Sequence, residues 1–159
     1  MYFMKKDADF KLIQKNKKAY FNYEILEDLE CGMALVGTEV KSVREGRVSF
    51  SDSYVEIKDG QLELIGFIIQ PYSHGGKVFN HQGDRKRILL AHKQEIKKFR
   101  RKVEAKGMTI VPLEIYIKHN LVKMKIALAR GKAVYDKKAA IKERDLQRDA
   151  RREMKSLGY

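Results

Sequence analysis

The chain has 159 residues, enough for one domain with a hydrophobic core plus a tail, and its formal net charge is +13. No stretch approaches the ~20 consecutive apolar residues of a membrane-spanning helix, and the first residues contain no apolar run typical of a signal peptide. A single cysteine, Cys31, excludes an internal disulfide and a thiolate zinc cluster. We therefore expect a cytoplasmic protein without a membrane partner.

The positive charge is concentrated at the two ends. Residues 1–18 carry six basic and two acidic groups, a balance of +4, and residues 129–159 carry ten and five, a balance of +5. The 110 residues between them carry eighteen and fourteen, again +4. A nearly balanced body with two basic ends is the charge pattern expected of a nucleic-acid-binding protein.

In chain order, residues 1–18 are polar and basic without a sustained period, and they predict a flexible arm. The strand predictions rest on short runs of β-branched, aromatic and other apolar residues bounded by turn residues. They cover 19–29 with a continuation over 33–36, then 53–58, 61–69, 88–91, 109–118 and 121–129. Pro112 indicates a sheet edge or a bulge in its strand. Segment 71–87, with three glycines, predicts a long loop that is either functional or disordered.

Two helices are predicted between the strands. Thr38 is the expected N-cap of a short helix over 39–45, and Gly46 stands where a helix-ending glycine belongs. A longer amphipathic pattern over 93–106 predicts a second helix that ends at Gly107.

Two dipeptides predict hairpin turns, Asp59-Gly60 and His119-Asn120, because each lies between two predicted strands. In the strand after the second turn, Lys123 and Lys125 alternate with apolar residues, which predicts one buried and one basic face. The sum is a mainly β protein of about six antiparallel strands with inserted helices. A small barrel or a sandwich fits this pattern.

The last segment, 130–159, is a basic tail whose few large apolar residues cannot offset the entropy of ordering it, so alone it should be disordered. On a helix of about 100° per residue, 141–157 nevertheless sorts into stripes. The basic stripe consists of Arg144, Arg148, Arg151, Arg152 and Lys155. We expect a helix when the tail binds a polyanion; a solvated charged helix or a disordered solubility tail is the alternative. The chain thus divides into an arm (1–18), a β domain (19–129) and this tail.

Patterns for catalysis and metal binding are weak. The histidines lack ligand spacing and no HExxH or CxxC motif occurs, so we predict no metal and no cofactor. Neither a GxSxG motif nor a P-loop is present. Glu39, Asp52 and Glu56 are carboxylates from which a metal-dependent nuclease could be built, but sequence does not show whether they converge. We predict that the protein is not an enzyme and keep the nuclease as a distant rival.

Basic residues next to amide, imidazole or aromatic side chains suit RNA, because cations neutralise phosphates while flat groups stack on bases or hydrogen-bond to them. These combinations are Asn16-Lys17-Lys18, His81 with Arg85-Lys86-Arg87, Lys123 and Lys125, and Lys132 with Tyr135-Asp136-Lys137-Lys138. Taken singly, Lys123 and Lys125 are equally well explained as the solvated side of a strand. The pattern as a whole favours nucleic-acid binding.

Several blocks are more specific than composition. Segment 37–46, GTEVKSVREG, followed by Ser51-Asp52-Ser53-Tyr54, resembles the signature of the SsrA-binding protein (small protein B) family. Further blocks resemble motifs of that family in the same order: Pro71-Tyr72, Asn80-His81, Arg85 to Leu90 with His92, Val111-Pro112-Leu113, and Gly131-Lys132 with Tyr135 to Lys138. The resemblance runs from about Lys15 into the tail, and six ordered blocks make a chance match very improbable.

The resemblance implies a closed antiparallel barrel of the oligonucleotide-binding type with peripheral helices. It also implies an RNA-binding adaptor of trans-translation, which binds the tRNA-like domain of transfer-messenger RNA and delivers it to stalled bacterial ribosomes. Elongation factor Tu would be an indirect partner in the delivery complex. The tail would enter the vacant mRNA channel of the ribosome.

Residue roles follow from the resemblance and from the charge pattern. The resemblance associates four positions with the face that holds the tRNA-like domain: Asn16, Glu30, Leu90 and His92. The charge pattern adds Lys17, Lys18, Lys41, Arg44, Arg85, Lys86, Arg87, Lys123 and Lys125. Glu30 is expected to accept from base amino or ribose hydroxyl groups, or to hold a neighbouring basic residue.

For the tail, the resemblance makes Tyr135 the residue expected to stack on ribosomal RNA. The expected ribosome contacts are Gly131, Lys132, Tyr135, Asp136, Lys137, Lys138, Arg144, Arg148, Arg151, Arg152 and Lys155. The alternative function is a general single-stranded RNA-binding or ribosomal protein, which would bind unrelated RNAs with comparable affinity and a steep salt dependence.

Overall fold

The computed structural model describes residues 9–76, 80–132 and 134–156, and for residues 134–140 and 156 it describes the backbone alone. Its strands are β1 (Phe10–Lys15), β2 (Tyr23–Met33), β3 (Val48–Ser49), β4 (Tyr54–Lys58), β5 (Gln61–Ile65), β6 (Ile68–Ile69), β7 (Arg87–Leu90), β8 (Thr109–Lys118) and β9 (Leu121–Gly131). Its helices are α1 (Lys17–Asn22), α2 (Gly37–Arg44), α3 (Lys93–Lys106) and α4 (Val134–Ser156). None of the helices in these ranges is long and apolar enough to cross a membrane.

Seven strands pair in one sheet with the order β1-β8-β4-β5-β7-β2-β9, and β8 also pairs with β9. Every pairing is antiparallel. The short strands β3 and β6 form a second, two-stranded sheet. The prediction of a mainly β protein with about six antiparallel strands and inserted helices is confirmed.

The core forms because apolar side chains alternate along the strands. In β9 the inward side chains are all buried: Val122, Met124, Ile126 and Leu128. Lys123 and Lys125 on the opposite face are only partly covered, as the alternation predicts. Further along β9, the outer face is covered as well, because Ala127 and Ala129 share a buried cluster with Ala19 of α1. Helix α1 therefore lies on the outside of the sheet, next to the two lysines.

The predicted turns and breaks have the expected backbone. Asp59 and Gly60 have φ angles of 52° and 74°, and His119 and Asn120 have φ angles of 52° and 61°. Two successive positive φ angles are what a type I′ hairpin turn requires. Helix α3 has the predicted bounds and ends at Gly107 in the left-handed region. The register of β8 against β9 shifts between Pro112 and Glu114, so of the predicted sheet edge or bulge the structure favours the bulge.

The prediction of a flexible arm over 1–18 is wrong for residues 9–18, the part of this segment that the structure describes. Residues Phe10–Lys15 pair with β8, and the Asn16 side chain then caps helix α1 by accepting from the Ala19 N–H at 3.3 Å. Helix α1 also replaces the beginning of the strand predicted over 19–29. Pairing with β8 satisfies the backbone of a segment that could not form a core alone. Residues 1–8 lie outside the described residues.

Two further boundaries are corrected. Helix α2 begins before Thr38: its N-cap is Val36, whose backbone N–H donates to Glu39 at 3.0 Å. The strand predicted over 61–69 is interrupted at Gly66, which has a φ of 79°. A Cβ at Gly66 would lie 3.3 Å from the Cα of Ser53, so only glycine permits this close approach of two backbone segments.

Candidate nucleic-acid interface

Cross-strand register brings residues from five strands into one row on the outside of the sheet. The successive partners are Leu90 of β7, Gly32 of β2, Lys123 of β9, Tyr116 of β8 and Leu12 of β1. Leu90 is 56% exposed and Leu12 is 47% exposed. The backbone of Gly32 lies beside the Leu90 side chain, since a Cβ at Gly32 would be in van der Waals contact with the Leu90 Cβ at 3.4 Å. Tyr116 is only 3% exposed and packs against the Phe10 ring, with the ring centroids 5.1 Å apart, so the row presents an apolar side chain at each end and Lys123 between them.

A second row runs beside the first. It joins Glu30 of β2, Lys125 of β9, Glu114 of β8 and Lys15 of β1. We call the two rows together the lysine face. It unites Glu30, Leu90, Lys123 and Lys125, which sequence analysis had singled out from three separate parts of the chain.

The centre of the lysine face is held by hydrogen bonds. The Tyr116 hydroxyl donates to Glu30 at 2.5 Å, and Lys118 Nζ lies 3.6 Å from the same carboxylate oxygen. The bond from Tyr116, assisted by Lys118, lowers the pKa of Glu30, whereas burial and this carboxylate raise the pKa of Tyr116. Of the two roles expected for Glu30, the structure displays the second, since Glu30 holds a neighbouring basic residue.

The lysines of this face differ in their freedom. Lys125 Nζ lies 3.7 Å from Glu114, which also accepts from the Tyr20 hydroxyl at 3.2 Å. Burial and the Glu114 carboxylate raise the pKa of Tyr20 to about 12, so this phenol stays neutral. Lys123 forms no ion pair with any described residue. Lys15, which is exposed, likewise forms no ion pair with a described carboxylate, so Lys123 and Lys15 are the cations of the face that are most available to a phosphate.

His92 stands next to the lysine face at the start of α3. It is the N-cap residue of that helix, but its side chain makes no capping bond and is 91% exposed. Its Nε2 lies 4.0 Å from Glu95. The ring is free to contact a partner.

The predicted cluster Asn16-Lys17-Lys18 divides into one structural and two surface residues. Asn16 is buried: its amide donates to the Pro112 carbonyl at 2.8 Å, and its oxygen caps α1. Lys17 is exposed, and Lys18 pairs with Asp52 at 2.7 Å. This pair raises the pKa of Lys18 and lowers that of Asp52. Asn16 thus fixes the start of the helix whose first two residues are these lysines.

The basic loop before β7 contains a buried ion-pair network, which we call the Glu39 bracket: Glu39, Arg85 and Arg87. Glu39 and Arg87 are fully buried, and Arg87 Nε donates to Glu39 at 2.6 Å. Arg85 donates to the other oxygen of Glu39. Burial opposes ionisation of Glu39, but the bonds from Arg85, the Val36 N–H and Arg87 outweigh it and lower its pKa.

Arg87 also donates to backbone carbonyls, and these acceptors are Phe67, Gln82, Gly83 and Arg85. With its donors used inside the protein, Arg87 does not reach the surface. The prediction that Arg87 contacts RNA is therefore corrected, because it holds the loop. Lys86 is exposed, and the partly exposed Arg85 donates to Glu39 and to the Ala34 and Lys86 carbonyls.

Next to the Glu39 bracket, the ring of Tyr72 lies beneath the ammonium group of Lys41. Lys41 Nζ lies 5.3 Å from the centroid of the Tyr72 ring. Asn80 fixes Tyr72 by accepting from its N–H at 2.9 Å and donating to its carbonyl at 2.7 Å. His81 bonds Thr38 through Nδ1 and the Ile69 carbonyl through Nε2, both at 2.9 Å. The exposed Arg44 is on the same helix as Lys41.

The tail begins where β9 ends. Gly131 is exposed, and the Lys132 N–H donates to the Asn22 carbonyl at 3.0 Å. In α4 all side chains from 141 to 155 are exposed, including the basic stripe of Arg144, Arg148, Arg151, Arg152 and Lys155. The side chains of Tyr135, Asp136, Lys137 and Lys138 lie outside the described residues, so their predicted roles stay predictions.

Sequence analysis missed Leu12 and Lys15 as members of the face, because it predicts a flexible arm where β1 lies. It also missed Tyr116, although it predicted the strand that carries this residue. The apolar residues Phe10, Leu12 and Ile13 are the signal that favours a strand in this segment, but the run is too short to decide it. The carboxylates considered for a nuclease bind different cations, Glu39 in its bracket and Asp52 with Lys18. Within the described ranges, no group of three or more His, Cys, Asp or Glu is placed to hold a metal ion.

An antiparallel β domain with aromatic, apolar and unpaired cationic side chains on one face belongs to the class of nucleic-acid-binding β proteins. Comparison with known families narrows this class. The model of the family described as "SmpB protein" matches residues 13–156. The chain belongs to the SmpB protein family.

Individual relatives agree. An SsrA-binding protein of Treponema denticola is 51% identical over 148 residues, which cover 93% of this chain and 96% of the relative. An SsrA-binding protein of Trichormus variabilis is 47% identical over 151 residues, covering 95% of this chain and 97% of the relative. A chain in the solved structure "tmRNA-SmpB: a journey to the center of the bacterial ribosome" is 45% identical with a TM-score of 0.64; the match covers 80% of this chain and 93% of that one.

Proposed function

We propose that this chain is an RNA-binding adaptor of trans-translation, which captures the tRNA-like domain of transfer-messenger RNA and brings it to stalled bacterial ribosomes. Family membership, the relatives named SsrA-binding protein and the tmRNA–SmpB structure support the proposal. The observation in this chain that carries it is the lysine face, where Lys123 and Lys125 lie among apolar and aromatic side chains. The role requires binding and delivery, and it assigns no catalytic residue, metal or cofactor.

We infer that the platform for RNA is a closed barrel of the oligonucleotide-binding type. The pairings lead from β8 through β4, β5, β7, β2 and β9 and return to β8, which supports closure of the sheet on itself. Such barrels bind RNA on an outer surface by combining cations with stacking side chains. The face crosses β2, β8 and β9 within this ring and continues onto β1.

The residues assigned to the tRNA-like domain act in two ways. Direct contacts are Lys17, Lys18, Glu30, Lys41, Arg44, Arg85, Lys86, Leu90, His92, Lys123 and Lys125. Asn16 and Arg87 act from beneath, since both are buried and hold surface lysines or the basic loop in place. Contacts of the lysines with phosphates supply affinity. Flat or apolar side chains such as His92 and Leu90 contact unstacked bases or riboses.

The tail, 130–159, is the part that enters the vacant mRNA channel of the small ribosomal subunit. Tyr135 stacks on ribosomal RNA near the decoding centre, Gly131, Lys132, Asp136, Lys137 and Lys138 flank it, and the basic stripe follows the RNA groove. The exposure of every described side chain from 141 to 155 supports a helix that gains its stability from RNA, so the free tail unfolds. Elongation factor Tu joins the complex indirectly, through the RNA, and the whole process occurs in the cytoplasm.

The proposal is tested by titrating transfer-messenger RNA with the protein at ~150 mM salt, with excess bulk tRNA and an unstructured RNA as competitors. We expect the complex to survive both. If either competitor displaces transfer-messenger RNA, the protein binds RNA by its positive charge and does not select one folded RNA. A general RNA-binding protein would then be the better description.

A truncation tests the division of labour between body and tail. Deleting residues 136–159 should leave binding to the tRNA-like domain nearly intact and abolish tagging on stalled ribosomes, because the body alone carries the lysine face. The matched control is the full chain with Lys97→Ala, an exposed lysine of α3. Loss of RNA binding together with tagging would contradict the division.

A further inference from the structure

A cleft of about 570 Å³ lies between helix α1 of the body and helix α4 of the tail. Its volume is within the usual range for sites that bind small molecules. Six lining side chains carry the chemistry: four cations and two aromatic rings, Lys15, Lys17, Lys132, Arg144, Tyr20 and Phe21. We call it the body–tail cleft. It combines Lys15 of the lysine face with Lys132 and Arg144 of the tail, and its two aromatic rings, Tyr20 and Phe21, belong to neither set.

The body side of this cleft is built by a set of defined contacts. Lys132 Nζ donates to the Tyr20 carbonyl at 3.3 Å, and Lys15 Nζ lies 4.7 Å from the centroid of the Tyr20 ring. The Tyr20 hydroxyl is in turn anchored on Glu114. Because Tyr20 is fixed from three directions, the two lysines around it are held at one place on the surface.

The tail side is a single stacked contact. The Arg144 guanidinium lies 5.2 Å from the centroid of the Phe21 ring, within the range of a cation–π interaction. Helices α1 and α4 contact each other at this point. The cleft is therefore incomplete without the tail, and Arg144 is the residue by which the tail completes it.

The charge of the body–tail cleft is not balanced within the protein. Among the described residues, Lys15, Lys17, Lys132 and Arg144 form no ion pair with a carboxylate, whereas nearby Lys18 pairs with Asp52. Glu143 also lines the cleft, so four cations face one acid. Gathering unpaired like charges is unfavourable in the free protein, and an anion relieves it.

We propose that the body–tail cleft binds one unpaired nucleotide of RNA. The lysines neutralise its phosphate, and its base stacks on the guanidinium of Arg144, which is itself stacked on Phe21. Glu143 and Gln147, on the neighbouring turn, provide acceptors and donors for a ribose hydroxyl or a base edge. The inference rests on the proposed function and deepens it: an RNA bound here ties α4 to the body and so sets the direction of the tail.

A double-mutant cycle tests the cleft. Phe21→Leu, Arg144→Gln and the double variant are titrated in the full chain, in one arm against a fluorescein-labelled tRNA-like domain and in the other against isolated small ribosomal subunits. Because deletion of residues 136–159, which include Arg144, is expected to leave binding of the tRNA-like domain nearly intact, the nucleotide is expected from ribosomal RNA. In the small-subunit arm each single variant should weaken binding about five- to thirty-fold, as the loss of one stacked base implies, and the arm with the tRNA-like domain should change less than two-fold. The double variant should bind no more weakly than the weaker single variant, because body and tail form one site.

The matched control is Lys142→Gln, which removes one positive charge two residues from Arg144 on a side chain that does not line the cleft. It should change affinity less than two-fold. The inference is overturned if Arg144→Gln and Lys142→Gln behave alike, or if the losses of the two single variants multiply in the double variant. A failure of the proposed function would give a different result: the wild-type chain itself would lose the tRNA-like domain to competitor RNA.

Discussion

The Glu39 bracket and helix α4 use the same kinds of side chains in opposite ways. In the bracket, Glu39 and Arg87 are fully buried and every group has a partner inside the protein. In α4, charged side chains point into water, and a pair such as Arg148–Asp145, 3.5 Å apart, joins groups that are more than half exposed. The buried charged groups stabilise the fold by bonding to one another, whereas the exposed ones remain available to a binding partner.

The two regions should therefore differ in their contribution to stability. Removing one member of a buried pair leaves an unpaired charge without water, which is strongly unfavourable. Exposed pairs contribute little, because water screens them and two long side chains must be ordered to form them. Mutations in the two regions give a direct test of this difference.

The largest effect is expected for Glu39→Ala. The change removes the acceptor of Arg85 and Arg87 and leaves Arg87 buried beside a cavity, so the free energy of unfolding should fall by about 3–5 kcal/mol. Urea unfolding followed by tyrosine fluorescence measures it. Asp149→Ala, the same removal of an acid on exposed α4, is the control and should be close to neutral. Equal effects of the two changes would refute the contrast.

The change Glu39→Gln removes the negative charge of this side chain and keeps its shape, so it measures the contribution of the charge alone. The pKa of Glu39 lies below its ordinary value of 4.5 in the folded protein, so its ionised form stabilises the fold. This contribution is complete above pH 4.5 and is lost as the pH falls through the lower folded pKa. The variant, which cannot ionise, should be about 1–3 kcal/mol less stable at pH 7, with the gap narrowing in acid. A gap that stays constant between pH 7 and pH 3 would contradict this assignment.

On the lysine face, replacement should affect binding and spare the fold. The double change Lys123→Ala and Lys125→Ala should weaken binding of the tRNA-like domain on the order of tenfold, and the slope of log affinity against log salt concentration should fall by about 2. Titrations at several salt concentrations measure both. Lys97→Ala with Lys93→Ala on α3 removes the same charge elsewhere. If that control pair reduces the slope equally, the lysine face has no special part in binding.

Sequence predicted well the features that are set by local chemistry. Two positive φ angles at Asp59-Gly60 and at His119-Asn120 follow from the residues themselves, as does the end of α3 at Gly107. The alternation that placed Lys123 and Lys125 outside is likewise visible in a single strand. These predictions needed no knowledge of distant parts of the chain.

Features that depend on distant partners could not be predicted in the same way. Strand β1 is a strand because β8 pairs with it about a hundred residues later, and alone its short apolar run is ambiguous. Arg87 stands in a run of three basic residues, and only the position of Glu39 on another element decides that it points inward. The lysine face exists because the register of five strands aligns Leu90, Lys123 and Tyr116.

The smallest effect is expected for Arg151→Ala in the basic stripe. Arg151 is exposed on α4, so its loss should change the free energy of unfolding of the body by less than about 0.5 kcal/mol, as is usual for surface substitutions. Urea unfolding monitored by tyrosine fluorescence of the body gives the value. A loss above about 1 kcal/mol would mean that α4 packs on the body beyond the contact of Arg144 with Phe21. The tail would then be part of the folded core unit, and its charge could not be held free for RNA.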